Sequence, residues 1–209
     1  MFQPAGTLAI ACLAATANAF ISQGRTVIER PEIRAFPLTP GKPHAESPPR
    51  DPSKVCFVRP SCTAGSDDAP KILKAFHDCN YGGTVVFDAN YTIASPLDLT
   101  FLENVDVAIS GTINFKGDVD YWVEHTFKYP FQDSSSMWRI GGKDVNIYGG
   151  GQGLLNGNGQ PWYDAFAKNP VLLRPILLVL DGLEGGSVTG LRMINSPNVS
   201  KSGVCSESA

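Results

Sequence analysis

The polarity pattern of the chain predicts one helix before residue 83. Apolar residues recur at helical spacing from residue 72 to about residue 79, directly after Asp67-Asp68-Ala69-Pro70. An aspartate followed by a proline is a helix-start signal, and Gly82-Gly83 ends the pattern. We predict a short helix here and interpret the aspartate pair as its cap, not as a catalytic pair.

After Gly83 the spacing of the apolar residues changes from that of a helix to that of β-strands. Short β-type runs at residues 84–87, 91–94 and 97–101 are broken by Asn, Ser and Pro. A longer unit then recurs. Each copy consists of a strand with alternating apolar and polar residues, a bend marked by glycine, and a second strand. The copies start about 40 residues apart and occupy residues 104–115, 144–157 and 186–195.

Units of this kind predict a solenoid, in which each rung stacks on the one before. Two long insertions, 116–137 and 158–175, fall at matching points between the units, so we expect them to project from one side. A β-sandwich or a propeller has similar strands but would not repeat the bend at the same place. We therefore predict an all-β protein, a parallel β-helix with a short N-terminal helix.

The first residues are typical of a secretory signal. A short apolar core at residues 8–15 precedes Ala17-Asn18-Ala19, a small-residue cleavage site. The apolar run is too short to span a bilayer, so we predict a secreted, extracellular protein with no membrane association. The predicted segments are a signal peptide (1–19), a Pro-rich extended arm (20–60), the first rungs of the β-helix (61–198) and a patternless tail (199–209).

Cysteines and sequons fit an oxidising compartment. Cleavage of the signal would remove Cys12 and leave four cysteines that favour disulfides, Cys56, Cys62, Cys79 and Cys205. Three connectivities are possible, and the pattern alone leaves the choice open. Two N-glycosylation sequons begin at Asn90 and Asn198.

Composition excludes several function classes. The 209 residues carry a net charge of -3 and no basic patch, so we expect no nucleic-acid partner. The three histidines, His44, His77 and His125, are scattered, so we predict no metal site. The Gly-rich stretch 149–153 is followed by a strand pattern and not by the helix of a nucleotide-binding loop, so we expect no cofactor.

Aromatic residues concentrate in the two insertions. Tyr121 and Trp122 lie in the first insertion, and Trp162 and Tyr163 lie in the second. Aromatic faces stack on sugar rings, so these four residues are candidates for sugar contact. The alternative is that they form the small cores that long loops need in order to stay folded.

Several segments form an ordered set over about residues 50–198, namely 67–70, 82–87, 118–122, 138–142, 157–163, 173–176 and 195–198. Taken together in this order, they resemble the N-terminal half of fungal exo-polygalacturonases of glycoside hydrolase family 28. The resemblance implies a right-handed parallel β-helix of the pectin-lyase type, a monomer that hydrolyses α-1,4-linked galacturonic acid in pectin with inversion. It also favours a Cys56–Cys79 disulfide. Rhamnogalacturonan and xylogalacturonan hydrolases share much of this pattern.

The catalytic motifs that the resemblance implies do not occur in residues 1–209. Asn-Thr-Asp, Gly-His-Gly and Arg-Ile-Lys are absent, and the only Asp-Asp is the pair at 67–68. No catalytic residue is therefore assigned, and we expect the catalytic carboxylates beyond residue 209. We expect this truncated chain to be inactive and poorly folded in isolation. The alternative function is a non-catalytic, polysaccharide-binding β-helix.

Overall fold

A computed structural model describes residues 25, 27–33, 47–63, 65–130 and 133–199, and the backbone of 201–204. The predicted signal peptide, Cys12, His44 and Cys205 lie outside the described residues, as does much of the predicted arm. The N-terminal elements are β1 (Val55–Phe57), α1 (Ala69–Cys79), β2 (Thr84–Phe87), β3 (Asn90–Ile93), β4 (Leu97–Ile109) and β5 (Thr112–Phe115). The first insertion holds α2 (Val119–His125), β6 (Phe127–Tyr129) and β7 (Ser134–Ser136). The remaining elements are β8 (Trp138–Tyr148), β9 (Leu154–Asn156), α3 (Gln160–Lys168), β10 (Leu178–Thr189), β11 (Arg192–Ile194) and β12 (Lys201–Val204).

The strands form two parallel sheets, so the predicted parallel β-helix is confirmed. One sheet has the order β1-β2-β4-β8-β10-β12 and the other has the order β11-β9-β5-β3. Each rung passes through both sheets, and equivalent residues of successive rungs are therefore direct neighbours. The insertions are not simple loops, because α2, the antiparallel β6–β7 hairpin and α3 form within them.

The bends fall where the glycine pattern predicts them. Between β4 and β5 the chain turns at Gly111, whose position leaves no room for a side chain. A Cβ atom there would lie 2.0 Å from the carbonyl oxygen of Ala89 on the rung below. Glycine is thus required because successive rungs approach each other so closely.

A second corner was not apparent from the glycines. The long strands β4, β8 and β10 each change direction at a residue with positive φ, and the register stacks Asn104, Asp144 and Gly185. Asn and Asp tolerate this left-handed conformation better than most residues with a side chain. This column lets one strand run through two faces of the solenoid.

The core is the interior of the solenoid. Inward side chains stack in rows from rung to rung, as in the row formed by Val107 and Ile147 and the row formed by Ile113 and Leu155. Phe115 packs edge-to-face on Trp138 with ring centroids 5.5 Å apart. Continuous apolar rows of this kind remove most of the inward-facing surface from water, which is the main stabilising contribution.

The aspartate pair before α1 has its predicted capping role only in part. The helix begins at Ala69 after Asp68, but the Asp68 side chain makes no capping hydrogen bond. Its carboxylate instead accepts from the amides of Ser61 (2.6 Å) and Thr92 (2.9 Å). Asp67 accepts from the first amide of the helix, that of Ala69 (3.1 Å), and from the amide of Ala94 (2.8 Å). The pair therefore also closes the open edge of β3, because its oxygens replace a neighbouring strand that the first rung lacks among the described residues.

Two of the predicted segments also contribute strands to the six-stranded sheet. The predicted extended arm contributes β1, which pairs in parallel with β2. The predicted patternless tail contributes β12, which pairs in parallel with β10. A sheet edge recruits whatever backbone lies beside it, so these strands form without a strong pattern of their own.

The predicted disulfide between Cys56 and Cys79 is confirmed, with 6.0 Å between the two Cα atoms. It joins β1 to the end of α1. Cys62 is also disulfide-bonded, and since Cys79 already has a partner, the alternative Cys62–Cys79 pairing is excluded. The bridge holds the arm to the helix that covers the first rung.

The arm is also held by buried ion pairs on the outer face of the six-stranded sheet. Arg50 donates to Asp106 on β4 and to Asp144 on β8, each at 2.9 Å. The side chain of Arg50 is 4% exposed and that of Asp106 is 1% exposed. Arg30 makes a second bond to Asp106, so this buried carboxylate has two cationic partners. Charges this deeply buried are tolerated only when they are paired.

We expect the Asp68→Ala variant to be less stable by about 2 kcal/mol, because it leaves the amides of Ser61 and Thr92 without acceptors. Chemical unfolding of the secreted chain measures this loss. The control is Asp78→Ala on the same helix, which removes only an exposed pair with Lys74 and should cost about 0.5 kcal/mol or less. Equal losses in the two variants would contradict the edge-closing role of Asp68.

The ion pairs that hold the arm predict a loss of stability in acid. Burial would raise the pKa of Asp144, but hydrogen bonds from Arg50 and Ser47 and the charge of Arg50 outweigh it, so the pKa is lowered. The pKa of Asp88 is lowered in the same way, with Arg25 outweighing burial. A lowered folded-state pKa gives stability that is present above the unfolded value, about 4, and is lost as pH falls through the folded value.

We therefore expect the free energy of unfolding to be flat above about pH 5 and to fall below about pH 4. Asp144→Asn should be less stable than the wild type at pH 6 and should lose less on acidification. Asp120→Asn, at an exposed position on α2, is the matched control and should follow the wild-type curve. If Asp144→Asn lost as much free energy of unfolding on acidification as the wild type, this carboxylate would not contribute to holding the arm.

Candidate functional site

The outer face of the four-stranded sheet is the candidate site. Ile113 and Leu155 point into the core with no exposed surface, so their neighbours along β5 and β9 point outward. The same alternation holds in β3 and β11. The outward residues of the four strands are Asn90, Thr92, Thr112, Asn114, Leu154, Asn156, Arg192 and Ile194.

Three asparagines form a ladder across this face. Asn195 donates from Nδ2 to Oδ1 of Asn156 (3.0 Å), and Asn156 donates in the same way to Asn114 (3.1 Å). Asn114 donates to the carbonyl oxygen of Tyr91 on β3 (3.3 Å). Each amide group has two N–H donors, and the ladder uses one of them. The ladder thus fixes the orientation of the amides and leaves a donor on each for a ligand.

The segment after β11 is attached to α3, which borders one end of the ladder. Tyr163 donates from its hydroxyl to the carbonyl oxygen of Ser196 (2.7 Å). Arg174 donates to the carbonyl oxygen of Pro197 (2.9 Å) and lies 4.3 Å from the ring centroid of Phe166. Asn195 is therefore fixed through its neighbours as well as through the ladder.

Of the four predicted sugar-contact aromatics, the two tryptophans are buried. Trp122 and Trp162 have no exposed surface, because both pack into the core beneath their insertions. Sugar contact by these two residues was a wrong prediction, and the alternative of loop packing holds. Tyr121 is half-buried and stacks on His125 at 4.1 Å between centroids. Tyr163 is 45% exposed and is the one that lies beside the ladder.

Both predicted glycosylation sites have an exposed asparagine. Asn90 is the first residue of β3, at the edge of the four-stranded sheet. Asn198 is exposed and donates to the carbonyl oxygen of Arg174 at 3.4 Å, and Ser200 of its sequon lies outside the described residues. Glycosylation at either position stays a prediction.

Two aspartates on the strands beside β8 are paired, not poised for catalysis. Arg139 on β8 donates to Asp98 (2.7 Å) and to Asp181 (3.1 Å) on the neighbouring strands. Burial would raise the pKa of Asp98, but Arg139 and Thr100 outweigh it, and the pKa is lowered. A general acid needs a raised pKa, so this cluster is a structural clamp. It holds the β6–β7 hairpin, since the Arg139 guanidinium lies 4.5 Å from the ring centroid of Phe127.

The outer face is suited to binding rather than to acid–base chemistry. None of its eight outward strand residues carries a carboxylate. In the described part of the chain, no group of three or more His, Cys, Asp or Glu residues is placed to hold a metal ion. No helix among the described residues has the length and apolarity needed to cross a bilayer. Amides, hydroxyls and one guanidinium suit a polar ligand, uncharged or anionic.

Sequence reasoning missed the ladder, although a signal for it exists. In the first two repeat units an asparagine directly follows an inward apolar residue, as Ile113-Asn114 and Leu155-Asn156. Asn195 follows the outward Ile194 instead and reaches the ladder from the bend. The recurrence was visible, but its meaning depends on the register between rungs.

Comparison with known proteins gives consistent results. The family model of glycosyl hydrolases family 28 matches residues 84–206. Exopolygalacturonase X-2 of Emericella nidulans is 45% identical over 173 residues, which are 83% of this chain and 38% of that protein. The crystal structure of endo-xylogalacturonan hydrolase from Aspergillus tubingensis matches with a TM-score of 0.63 at 33% identity, over 71% of this chain and 39% of that chain.

A more distant structure supports the fold alone. Polygalacturonase from Erwinia carotovora ssp. carotovora matches with a TM-score of 0.51 at 18% identity, over 74% of this chain and 44% of that chain. The chain spans less than half the length of each of these three relatives.

We expect Asn90 to carry an N-glycan when the chain is secreted from a eukaryotic host, because its side chain is exposed and its sequon is complete. Intact mass before and after enzymatic deglycosylation measures the modification. Asn90→Gln should lose one glycan and keep the wild-type melting temperature. Thr92→Ser, which preserves the sequon, is the control, and an unmodified Asn90 in the wild type would refute the expectation.

Proposed function

The chain belongs to family 28 of the glycosyl hydrolases, and we propose that it forms the N-terminal rungs of a secreted pectin hydrolase. The proposed reaction is hydrolysis of terminal α-1,4-galacturonosidic bonds of polygalacturonic acid with inversion. Its substrate class is supported by the exopolygalacturonase relative, and its inverting course by the family resemblance. The described face of this chain is proposed to bind the polysaccharide next to the catalytic centre.

The observation that carries this proposal is the asparagine ladder. Neighbouring parallel strands are about 4.8 Å apart, so Asn114, Asn156 and Asn195 present oriented amide groups at regular steps along the solenoid. A polysaccharide presents hydroxyl and carboxylate groups at regular steps of its own. Amides donate to both kinds of group and accept from hydroxyls, and Tyr163 adds an exposed aromatic ring beside the ladder.

Catalysis by inversion needs groups that this face does not carry. An inverting glycosidase uses one carboxylic acid and one carboxylate, about 6.5–9.5 Å apart with a water between them. The outward residues of the four-stranded sheet include no such pair, and Arg139 holds both Asp98 and Asp181 in ion pairs. We therefore propose that the polypeptide of residues 1–209 binds galacturonan without hydrolysing it.

Two alternatives have an observation in their favour. A xylogalacturonan hydrolase is favoured by the structural match to the Aspergillus tubingensis enzyme. A polysaccharide-binding β-helix without activity is favoured by the absence of carboxylates among the outward residues of the face. Both alternatives use the same binding face and differ in ligand or in chemistry.

The test is binding of the secreted chain to polygalacturonate, xylogalacturonan and dextran, measured by affinity electrophoresis together with reducing-sugar release. We expect retardation by polygalacturonate, little by dextran, and no sugar release above a buffer blank. Stronger retardation by xylogalacturonan would favour the first alternative. Sugar release by residues 1–209 would refute binding without hydrolysis.

The variant Asn156→Ala tests the face directly. It removes the middle of the ladder, so the amide of Asn195 loses its acceptor and the face loses one donor, and we expect binding to weaken about tenfold, or about 1.4 kcal/mol. Asn169→Ala, an exposed asparagine at the end of α3, is the matched control and should bind as the wild type does. Equal binding by both variants would exclude the ladder from the binding site.

A further inference from the structure

Tyr81 lies in a backbone conformation that its side chain does not favour. Its φ angle is 63°, in the left-handed region, which bulky residues rarely adopt because the Cβ atom crowds the following carbonyl oxygen. At the corner of the later rungs, the left-handed residues are Asn104, Asp144 and Gly185. Gly82 starts this corner column, since its amide donates to the carbonyl oxygen of Asn104 (2.8 Å). A tyrosine directly before it costs stability that asparagine or glycine would not.

The side chain of Tyr81 does not offset this cost by packing. Tyr81 is 67% exposed, and within the described residues its side chain makes no hydrogen bond or ring contact. Strained residues cluster at sites that bind ligands. The neighbours of Tyr81 therefore indicate what the exposed ring contacts.

A buried amide fixes Tyr81 beside a second aromatic residue. The side chain of Asn80 donates to the carbonyl oxygen of Phe101 (3.2 Å) and accepts from the amide of Glu103 (2.8 Å). The amide of Tyr81 donates to the carbonyl oxygen of Glu103 (2.9 Å). The backbone of Tyr81 is thus joined to the segment of β4 that carries Phe101.

An irregularity in β4 presents Phe101 at the surface. The register between β4 and β8 shifts between Leu99 and Leu102, and both leucines are buried. Irregularities of this kind redirect side chains, and Phe101 is half-buried. Its ring stacks on the exposed imidazole of His77, with 4.3 Å between centroids and 12° between ring planes. We term His77, Tyr81 and Phe101 the corner aromatics.

The charges around the corner aromatics balance. Lys54 donates from Nζ to the carbonyl oxygen of Asn80 (2.6 Å), and Glu103 supplies one exposed carboxylate. Lys74 and Asp78 on α1 pair with each other. This corner therefore suits an uncharged ligand, because no net charge attracts an ion of either sign.

We propose that the corner aromatics form a second saccharide-binding site, which takes an uncharged galactose polymer. The chain belongs to a glycosyl hydrolase family, so the ligand class is a polysaccharide. Galactopyranose carries its axial hydroxyl on one face and a row of C–H groups on the other, and an apolar face of this kind packs on an aromatic ring. The site lies on α1 and β4, outside the four-stranded sheet, and does not depend on the asparagine ladder.

The test is affinity electrophoresis of the whole secreted chain in gels that contain β-1,4-galactan, with dextran gels as the reference. We expect galactan to retard the wild type more than dextran does, because glucose divides its C–H groups between two faces. Tyr81→Asn should reduce the retardation by galactan at least tenfold. Its melting temperature should equal or exceed that of the wild type, since asparagine adopts the left-handed conformation more easily. Tyr81→Phe keeps the ring and should bind galactan as the wild type does.

Val171→Asn is the matched control, because it removes an apolar side chain that is 88% exposed in the second insertion and should leave galactan binding intact. Full galactan binding by Tyr81→Asn would overturn the inference, as would a lower melting temperature of that variant, which would indicate a packing role. A wild type that galactan retards no more than dextran does would overturn it as well. Polygalacturonate gels run in parallel decide the proposed function separately, because that ligand is assigned to the ladder.

Discussion

The structure depends on parallel pairing between successive rungs, which leaves a row of unpaired backbone groups at each end of the stack. Inside the stack, every rung supplies the partner for the next. At the first rung no strand of the described residues covers β3, and the carboxylates of Asp67 and Asp68 accept from the amides of Thr92 and Ala94 at its edge instead. Helix α1 then covers the apolar interior with Ile72 and Phe76. An open edge here would favour strand addition from another chain.

The arm is held in place by polar residues on the outer face of the six-stranded sheet. Asp106 and Asn146 lie in one register row on neighbouring strands, and an uncovered row of this kind would be solvated. Arg30 and Arg50 close over it, and the Cys56–Cys79 bridge fixes the chain between them and α1. Removal of a single cation would leave a buried carboxylate partly unpaired, which is the costly case for a buried ion pair.

The binding face follows from the register as well. Side chains of a strand alternate between core and exterior, so the packing of Ile113 and Leu155 inside places Asn114 and Asn156 outside, one above the other. The core and the candidate site are thus two sides of the same strands. The insertions contribute in a different way, because their tryptophans anchor α2 and α3 in the core while Tyr163 remains at the surface.

The sequence by itself determined the features that depend on neighbouring residues. Helix α1, the glycine bends and the repeat of strand pairs follow from local period and turn chemistry, and together they predict a solenoid. Only the tertiary structure decided which residues about 40 positions apart meet across rungs. That register assembled the asparagine ladder. The packing of the arm, of α1 and of the insertions fixed the Cys56–Cys79 pairing, gave Asp67 and Asp68 a sheet edge to close, and buried Trp122 and Trp162. These outcomes depend on where each side chain points relative to another rung, and a linear pattern does not carry that information.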